Sequence, residues 1–279
     1  MSTGERAATI TPGDRLQAAV RAIGAPHGRE HSIKLRDQGV LANRFLLTVA
    51  RDDIGADATP RVLAACRRVE MPAPFLDAVA AHLPAANMIH FGYEEELDGR
   101  AYYKVYLERG EQFARAMKSR PPVTDPLVLY HAFKWNNADR NEQVMARYVC
   151  HPRLGRTALL QRVAAFYAGL AERTPWHLFC ELVASASRRV PETELLYLDV
   201  TEDGTNRKSF DVNFYRAGLH VASVAPFVER LGTHFRLPAD LVPAALAGVL
   251  DLRLGHVAGG VDRHGRDFLT IYYGAGAGV

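Results

Sequence analysis

The chain has 279 residues, 48% hydrophobic and 23% charged, the composition of an ordinary globular protein long enough to build one large core. Its formal charge of +3 comes from Lys and Arg scattered without a polybasic run, which argues against a nucleic-acid partner. Cys66, Cys150 and Cys180 form no CxxC pair, and no His cluster has ligand spacing. This argues against a disulfide framework and a structural zinc site, and with no targeting segment or long apolar run a cytoplasmic protein without a membrane partner is expected.

Residues 1–11 are polar and expected to be flexible, whereas no linker divides residues 12–279, which are expected to form a single domain. Pro12 opens a predicted helix with Leu16, Val20 and Ile23 on one face, ending at Gly24. The alternating runs His31–Leu35 and Leu41–Val49 form a first strand–turn–strand unit. Thr59-Pro60 reads as an N-cap and first helical proline before Val62–Val69, and Pro74–Leu83 repeats the apolar spacing. The second unit, Met88–Tyr93 with Ala101–Leu107, turns at Asp98-Gly99. A short helix over Gln112–Lys118 ends at Pro121, Pro122 and Pro126. The third unit is Leu127–Phe133 with Val144–Cys150, turning through Asn136–Asp139. Helices over Arg156–Leu170 and Trp176–Arg189 precede a fourth unit, Leu195–Val200 with Phe210–Phe214. Helices near Val221–Leu231 and Ala239–Leu250 lead to the fifth, Leu252–Gly260 with Asp267–Tyr273. Five hairpins spaced by helices imply an α+β fold of ten antiparallel strands, closed into a barrel within an outer ring of helices.

Strand side chains alternate between faces. In the second strand of each unit one face is apolar: Phe45, Leu47, Val49; Tyr103, Val105, Leu107; Val144, Ala146, Tyr148; Phe210, Val212, Phe214; Leu269, Ile271, Tyr273. Covering these with helices turns the other set into the barrel, where a wide lumen holds a ligand; the reverse orientation would give an apolar interior. On the inward face Arg44, Lys104 and Arg147 converge from three strands, an arrangement suited to a pyrophosphate. Each alone reads as a surface charge; the shared face makes them a set. Tyr102, Tyr106, Tyr215 and Tyr272 form an aromatic sleeve on that face, suited to an allylic carbocation. Glu30 shares a face with Ser32 and Lys34; a carboxylate inside such a pocket could act as a general base, while by itself Glu30 reads as a surface residue at the start of its strand.

Other signals carry less. The run Asp52–Asp57 lies just past a strand with spacing wrong for an aspartate-rich metal motif, and the glycines from Gly274 onward precede no helix. His256 and His264 read as ordinary loop residues.

The stretch Glu30-His31-Ser32-Ile33-Lys34 through Arg44-Phe45-Leu46-Leu47 resembles the ABBA-fold prenyltransferases, and within them the cyanobactin-type peptide prenyltransferases. Lys104 in Tyr102-Tyr103-Lys104-Val105-Tyr106 matches a second-hairpin lysine of that family, and the order of five hairpins is similar over nearly the whole chain. The resemblance implies Glu30 as base and Lys34, Arg44 and Lys104 as ligands of a donor diphosphate, dimethylallyl or geranyl, used with Mg2+. Arg147 and the later tyrosines rest on face alternation alone. It also implies a cyclic or linear ribosomal peptide as acceptor. A small aromatic or indole metabolite and a non-catalytic ligand-binding barrel are the alternatives.

Overall fold

The computed structural model describes residues 10–277 apart from 38, 122, 137, 140, 171, 192 and 193. Residues 1–9 of the expected flexible terminus and Asn137 of the third turn lie outside the described residues. Eleven strands lie in one sheet: β1 (His27–Arg36), β2 (Gly39–Leu41), β3 (Arg44–Ala50), β4 (Met88–Glu95), β5 (Ala101–Glu108), β6 (Leu127–Asn136), β7 (Gln143–His151), β8 (Leu196–Glu202), β9 (Lys208–Asn213), β10 (Leu254–Val261) and β11 (Asp267–Ala277). The short β2 pairs with the C-terminal half of β1 and β3 with its N-terminal half, so together they occupy one barrel position. Each other strand pairs antiparallel with its sequence neighbour, and β11 returns to β1 with Ser32 opposite Tyr272 and Lys34 opposite Thr270. The result is a closed ten-stranded antiparallel barrel without a free edge.

The helices are α1 (Pro12–Arg21), α2 (Arg51–Ile54), α3 (Ala58–Arg68), α4 (Ala73–His82), α5 (Gly110–Lys118), α6 (Arg156–Phe166), α7 (Thr174–Ser187), α8 (Val221–His234) and α9 (Leu241–Leu246). Thr11 caps α1 in a reciprocal box with Asp14. The expected cap at Thr59 is replaced: α3 already begins at Ala58, because α2 and a single 3-10 turn lead directly into it.

Two apolar layers separate barrel from helices. Leu16, Val62, Cys66 and Val79 of α1, α3 and α4 pack on Phe45, Leu47, Phe91, Val105 and Phe133. Leu159, Phe179, Leu182, Val228 and Leu231 of α6, α7 and α8 pack on Phe210, Val212, Val257, Leu269 and Ile271. With the large apolar side chains spent on these outer layers, the inward faces remain available to polar groups.

Candidate active site

Inside the barrel the side chains line two adjoining spaces. The first, of about 60 Å3, is lined by Lys34 of β1, Arg44 of β3, Lys104 of β5, Lys134 of β6 and Arg207 just ahead of β9, together with Glu94 of β4 and Glu202 of β8. Glu94, only 1% exposed, gathers three of these cations. Arg44 Nη1 and Lys104 Nζ (2.5 Å) donate to its Oε2, and Lys134 Nζ donates to its Oε1 at 2.6 Å. Burial works to raise the Glu94 carboxyl, but Arg44, Lys104, Lys134 and Lys34 hold it well below the usual carboxylate range. Arg44 is oriented by Ser32 Oγ, which accepts from its Nε at 3.1 Å. Lys34 Nζ lies 4.8 Å from the Phe268 ring centre, and the Arg207 guanidinium 5.3 Å from the same ring. Burial, opposed by Glu94 and reinforced by Arg44, Lys134 and Arg207, pushes the Lys34 ammonium down to about 7. Burial also holds the Lys104 ammonium well below its ordinary range, yet five basic side chains against two carboxylates still leave surplus positive charge in a secluded space, a site suited to a polyanion with several phosphate oxygens.

The second space, of about 220 Å3, is lined by Glu30, His90, Glu108, Tyr130, Asp211, Tyr215 and His256 among others, and no Lys or Arg is in its wall. Glu30 is 7% exposed, and its Oε1 accepts a hydrogen bond from the Tyr215 hydroxyl. His256 lies between two carboxylates, Nδ1 2.8 Å from Asp211 Oδ2 and Nε2 3.4 Å from Glu30 Oε2. Burial disfavours the imidazolium, yet Asp211 and Glu30 raise its pKa to about 10. Gly255 permits this close array: a Cβ there would lie 2.7 Å from the Tyr215 hydroxyl and would collide with Glu30.

Tyr106, Tyr148 and Tyr272 line both spaces and form the partition between them. Tyr106 and Tyr148 meet edge to face at 5.8 Å, and Tyr272 stacks on His256 at 3.8 Å. Three phenol rings therefore stand between a polycationic chamber and a buried carboxylate.

Of the residues expected from sequence, Glu30, Lys34, Arg44, Lys104, Tyr106, Tyr215 and Tyr272 all face the lumen. Arg147 does not. It lies outside the barrel with 54% of its side chain exposed, paired with Asp203 at 3.1 Å. The phase of the third hairpin is inverted relative to expectation, with Val144, Ala146 and Tyr148 pointing inward. The reason is cross-strand pairing: bulky Phe133 and Trp135 on β6 pack outward, so their partners Met145 and Gln143 share that face, and Arg147 opposite His131 follows. Tyr102 faces the barrel rim, where its hydroxyl donates to Glu142 and its ring carries Lys134 Nζ at 4.2 Å. It neighbours the cations and is no part of the partition. Tyr215 sits in a single 3-10 turn just beyond β9. His256, expected in a loop, lies on β10.

Sequence reading missed Glu94, Lys134, Tyr148 and His256 as site residues, whereas alternation along β9 places Asp211 inward, as found. Alternation on β4 and β6 carried the signal for the first two, since Phe91, Tyr93, Phe133 and Trp135 claim the outward face. Arg207 precedes its strand, so no alternation could assign it.

The Mg2+ implied by the resemblance finds no free carboxylate here. Glu94 already accepts from three cations, and Glu202 is paired with Arg207 and, at 3.4 Å, with Arg263. Among the described residues no group of three His, Cys, Asp or Glu side chains is placed to hold a metal ion. The donor set does not fit a protein-held Mg2+.

No known protein-family model matches the chain, and no curated protein matches its sequence. Solved structures do match its architecture. The 5-dimethylallyltryptophan synthase from Streptomyces coelicolor superposes with a TM-score of 0.58 and 18% identity over 88% of this chain and 80% of that one. The 6-dimethylallyltryptophan synthase from Micromonospora olivasterospora, solved with DMASPP and Trp, gives 0.57 and 15% over 88% and 81%. AnaPT from Neosartorya fischeri gives 0.53 and 13% over 90% and 80%. The chain has the ABBA prenyltransferase fold. At these identities the likeness establishes the ABBA barrel alone. No helix among the described residues is long and apolar enough to cross a membrane.

Proposed function

We propose that the chain is a prenyltransferase that moves a dimethylallyl or geranyl group from its diphosphate to a small aromatic or indole acceptor. The observation that carries this reading is the Tyr106–Tyr148–Tyr272 partition between the cationic chamber and Glu30. The diphosphate is held by Lys34, Arg44, Lys104, Lys134 and Arg207, which stabilise the charge that grows on it as the allylic C–O bond breaks and the bonding electrons leave with the diphosphate. The tyrosine faces shield the allylic cation from water and stabilise it. The acceptor's nucleophilic atom forms the new bond to the allylic carbon, and its proton passes to Glu30. The cations supply the charge neutralisation expected of Mg2+.

Two observations favour a small acceptor over the ribosomal peptide. The acidic chamber, at about 220 Å3, is below the roughly 300–1,000 Å3 of most small-molecule pockets. The solved structures that share the fold include two named for dimethylallyltryptophan synthesis.

The test is mass spectrometry of products from dimethylallyl or geranyl diphosphate with a panel of indoles, aromatic amino acids and peptides, in EDTA and in Mg2+. A gain of one prenyl group on a small aromatic is expected in both media. Glu30→Gln should lower turnover by about 100-fold or more while retaining diphosphate binding. Transfer to peptides alone would overturn the acceptor assignment. A barrel that binds diphosphate but modifies nothing would be a ligand-binding protein.

A further inference from the structure

The two halves of the lumen differ in charge as well as in shape. The cationic chamber is described above; the acidic one holds Glu30, Glu108 and Asp211 and no Lys or Arg. Its compensation is incomplete. Glu30 and Asp211, 7% and 4% exposed, share the single imidazolium of His256. Among the described residues Glu108, its side chain 21% exposed, pairs only with His90, whose Nε2 lies 2.8 Å away while its Nδ1 is engaged with Thr48 Oγ1 at 2.8 Å. Buried charges are ordinarily matched by partners, and a surplus is costly unless a ligand completes it.

The carboxylates also converge. Burial, then the charges of Glu108, Asp211 and Glu30, raise the Tyr130 phenol well above its ordinary range, and the same three carboxylates act on Tyr215. All three therefore act on the one space beside these rings; among the described residues no Lys or Arg lines it, and the His256 imidazolium is already held by Asp211 and Glu30.

Resting on the reading of this chamber as the acceptor side, we propose that the acceptor enters as a net cation: an aromatic nucleophile bearing a protonated amine and no free carboxylate. The ammonium is seated by Glu108 and Asp211 with the ring against the tyrosines, and its charge completes the compensation of the chamber. A free α-amino acid would bring its own carboxylate into a wall that already holds three. The preferred substrate is therefore the corresponding amine, or an amino acid whose carboxyl is blocked.

The experiment is calorimetric binding of tryptamine, indole, L-tryptophan and indole-3-propionate to the full chain saturated with dimethylallyl S-thiolodiphosphate. Tryptamine is expected to bind at least about tenfold more tightly than indole-3-propionate, as like-charge exclusion demands, with indole and tryptophan between them. Glu108→Gln should narrow that ratio and Glu108→Asp should keep it. Equal affinities, tighter binding of the propionate, or no binding of any of the four would overturn the proposal, as would an unchanged ratio in a folded Glu108→Gln protein. If Glu108→Gln does not fold, the wild-type ratio decides alone. Because binding is read without turnover, a clear preference for tryptamine with no prenyl transfer would count against the proposed activity and not against this inference.

Discussion

Lys34 holds its proton weakly, because burial and three neighbouring cations outweigh the help it receives from Glu94. A diphosphate arriving beside it reverses that balance and raises its pKa above the value of about 7 in the free protein. Donor binding should therefore take up a proton at pH 8, and affinity should fall as pH rises above 7, by up to about tenfold per unit. Calorimetry in buffers of different ionisation enthalpy checks this, and Lys34→Met should reduce the slope, with Lys104, which burial also holds well below its ordinary range, accounting for what remains. His256 has the opposite sign. Its pKa is raised to about 10 in the fold against about 6.5 in the unfolded chain, so its contribution to stability is complete below pH 6.5 and is lost as pH rises toward 10. Lys34 contributes the opposite slope above pH 7, so the His256 share is read as a difference: the stability advantage of the wild type over His256→Asn should shrink by up to about 1.4 kcal/mol per pH unit across that window in denaturant titrations.

At the scale of elements, aromatic contacts concentrate where β9 meets α6 and α7 within the larger apolar layer. Phe210 on β9 meets Phe179 of α7 at 4.9 Å and Phe166 of α6 at 5.9 Å, with Tyr167 also against it. It is fully buried, so Phe210→Ala leaves a cavity at the junction of one strand and two helices. A loss of about 3–5 kcal/mol in unfolding free energy is expected by chemical denaturation. The third hairpin teaches a related lesson. On β7 the inward face carries Val144, Ala146 and Tyr148 and no charged residue, while Arg147 lies on the other face, and this hid its phase from a rule that assigns polar residues inward. Pairing register settles such cases, because a bulky residue on one strand determines the face of its partner on the next.

For the whole molecule, closure of β11 on β1 joins first and last hairpins and ties together two helical layers that share no residue of their cores. A closed sheet cannot lose one layer without opening the ladder that supports the other, so unfolding is expected to be a single transition. Trp135 lies in one layer and Trp176 packs on the other. Fluorescence-monitored denaturation of Trp135→Phe and Trp176→Phe, each reporting the remaining indole, should give sloping baselines of its own but the same ratio of free energy to slope as far-UV dichroism of that variant. Separate midpoints for fluorescence and dichroism would show that the layers melt independently.

The sequence by itself determined the barrel and much of its lining. Period-two alternation, turn residues and helical spacing are local properties, so five hairpins, intervening helices and the inward placement of Glu30, Lys34, Arg44, Lys104, Tyr106 and Tyr272 were all legible in it. Only the tertiary structure decided which inward groups meet. Glu94 lies 50 residues from Arg44 and 40 from Lys134, and Tyr215 lies 185 from Glu30, separations at which sequence spacing carries no information. The cations gather on one carboxylate and His256 lies between two others because closing a tilted sheet brings distant strands to the same depth of the lumen. That depth depends on register and closure, and it divides the interior into a cationic chamber and an acidic one.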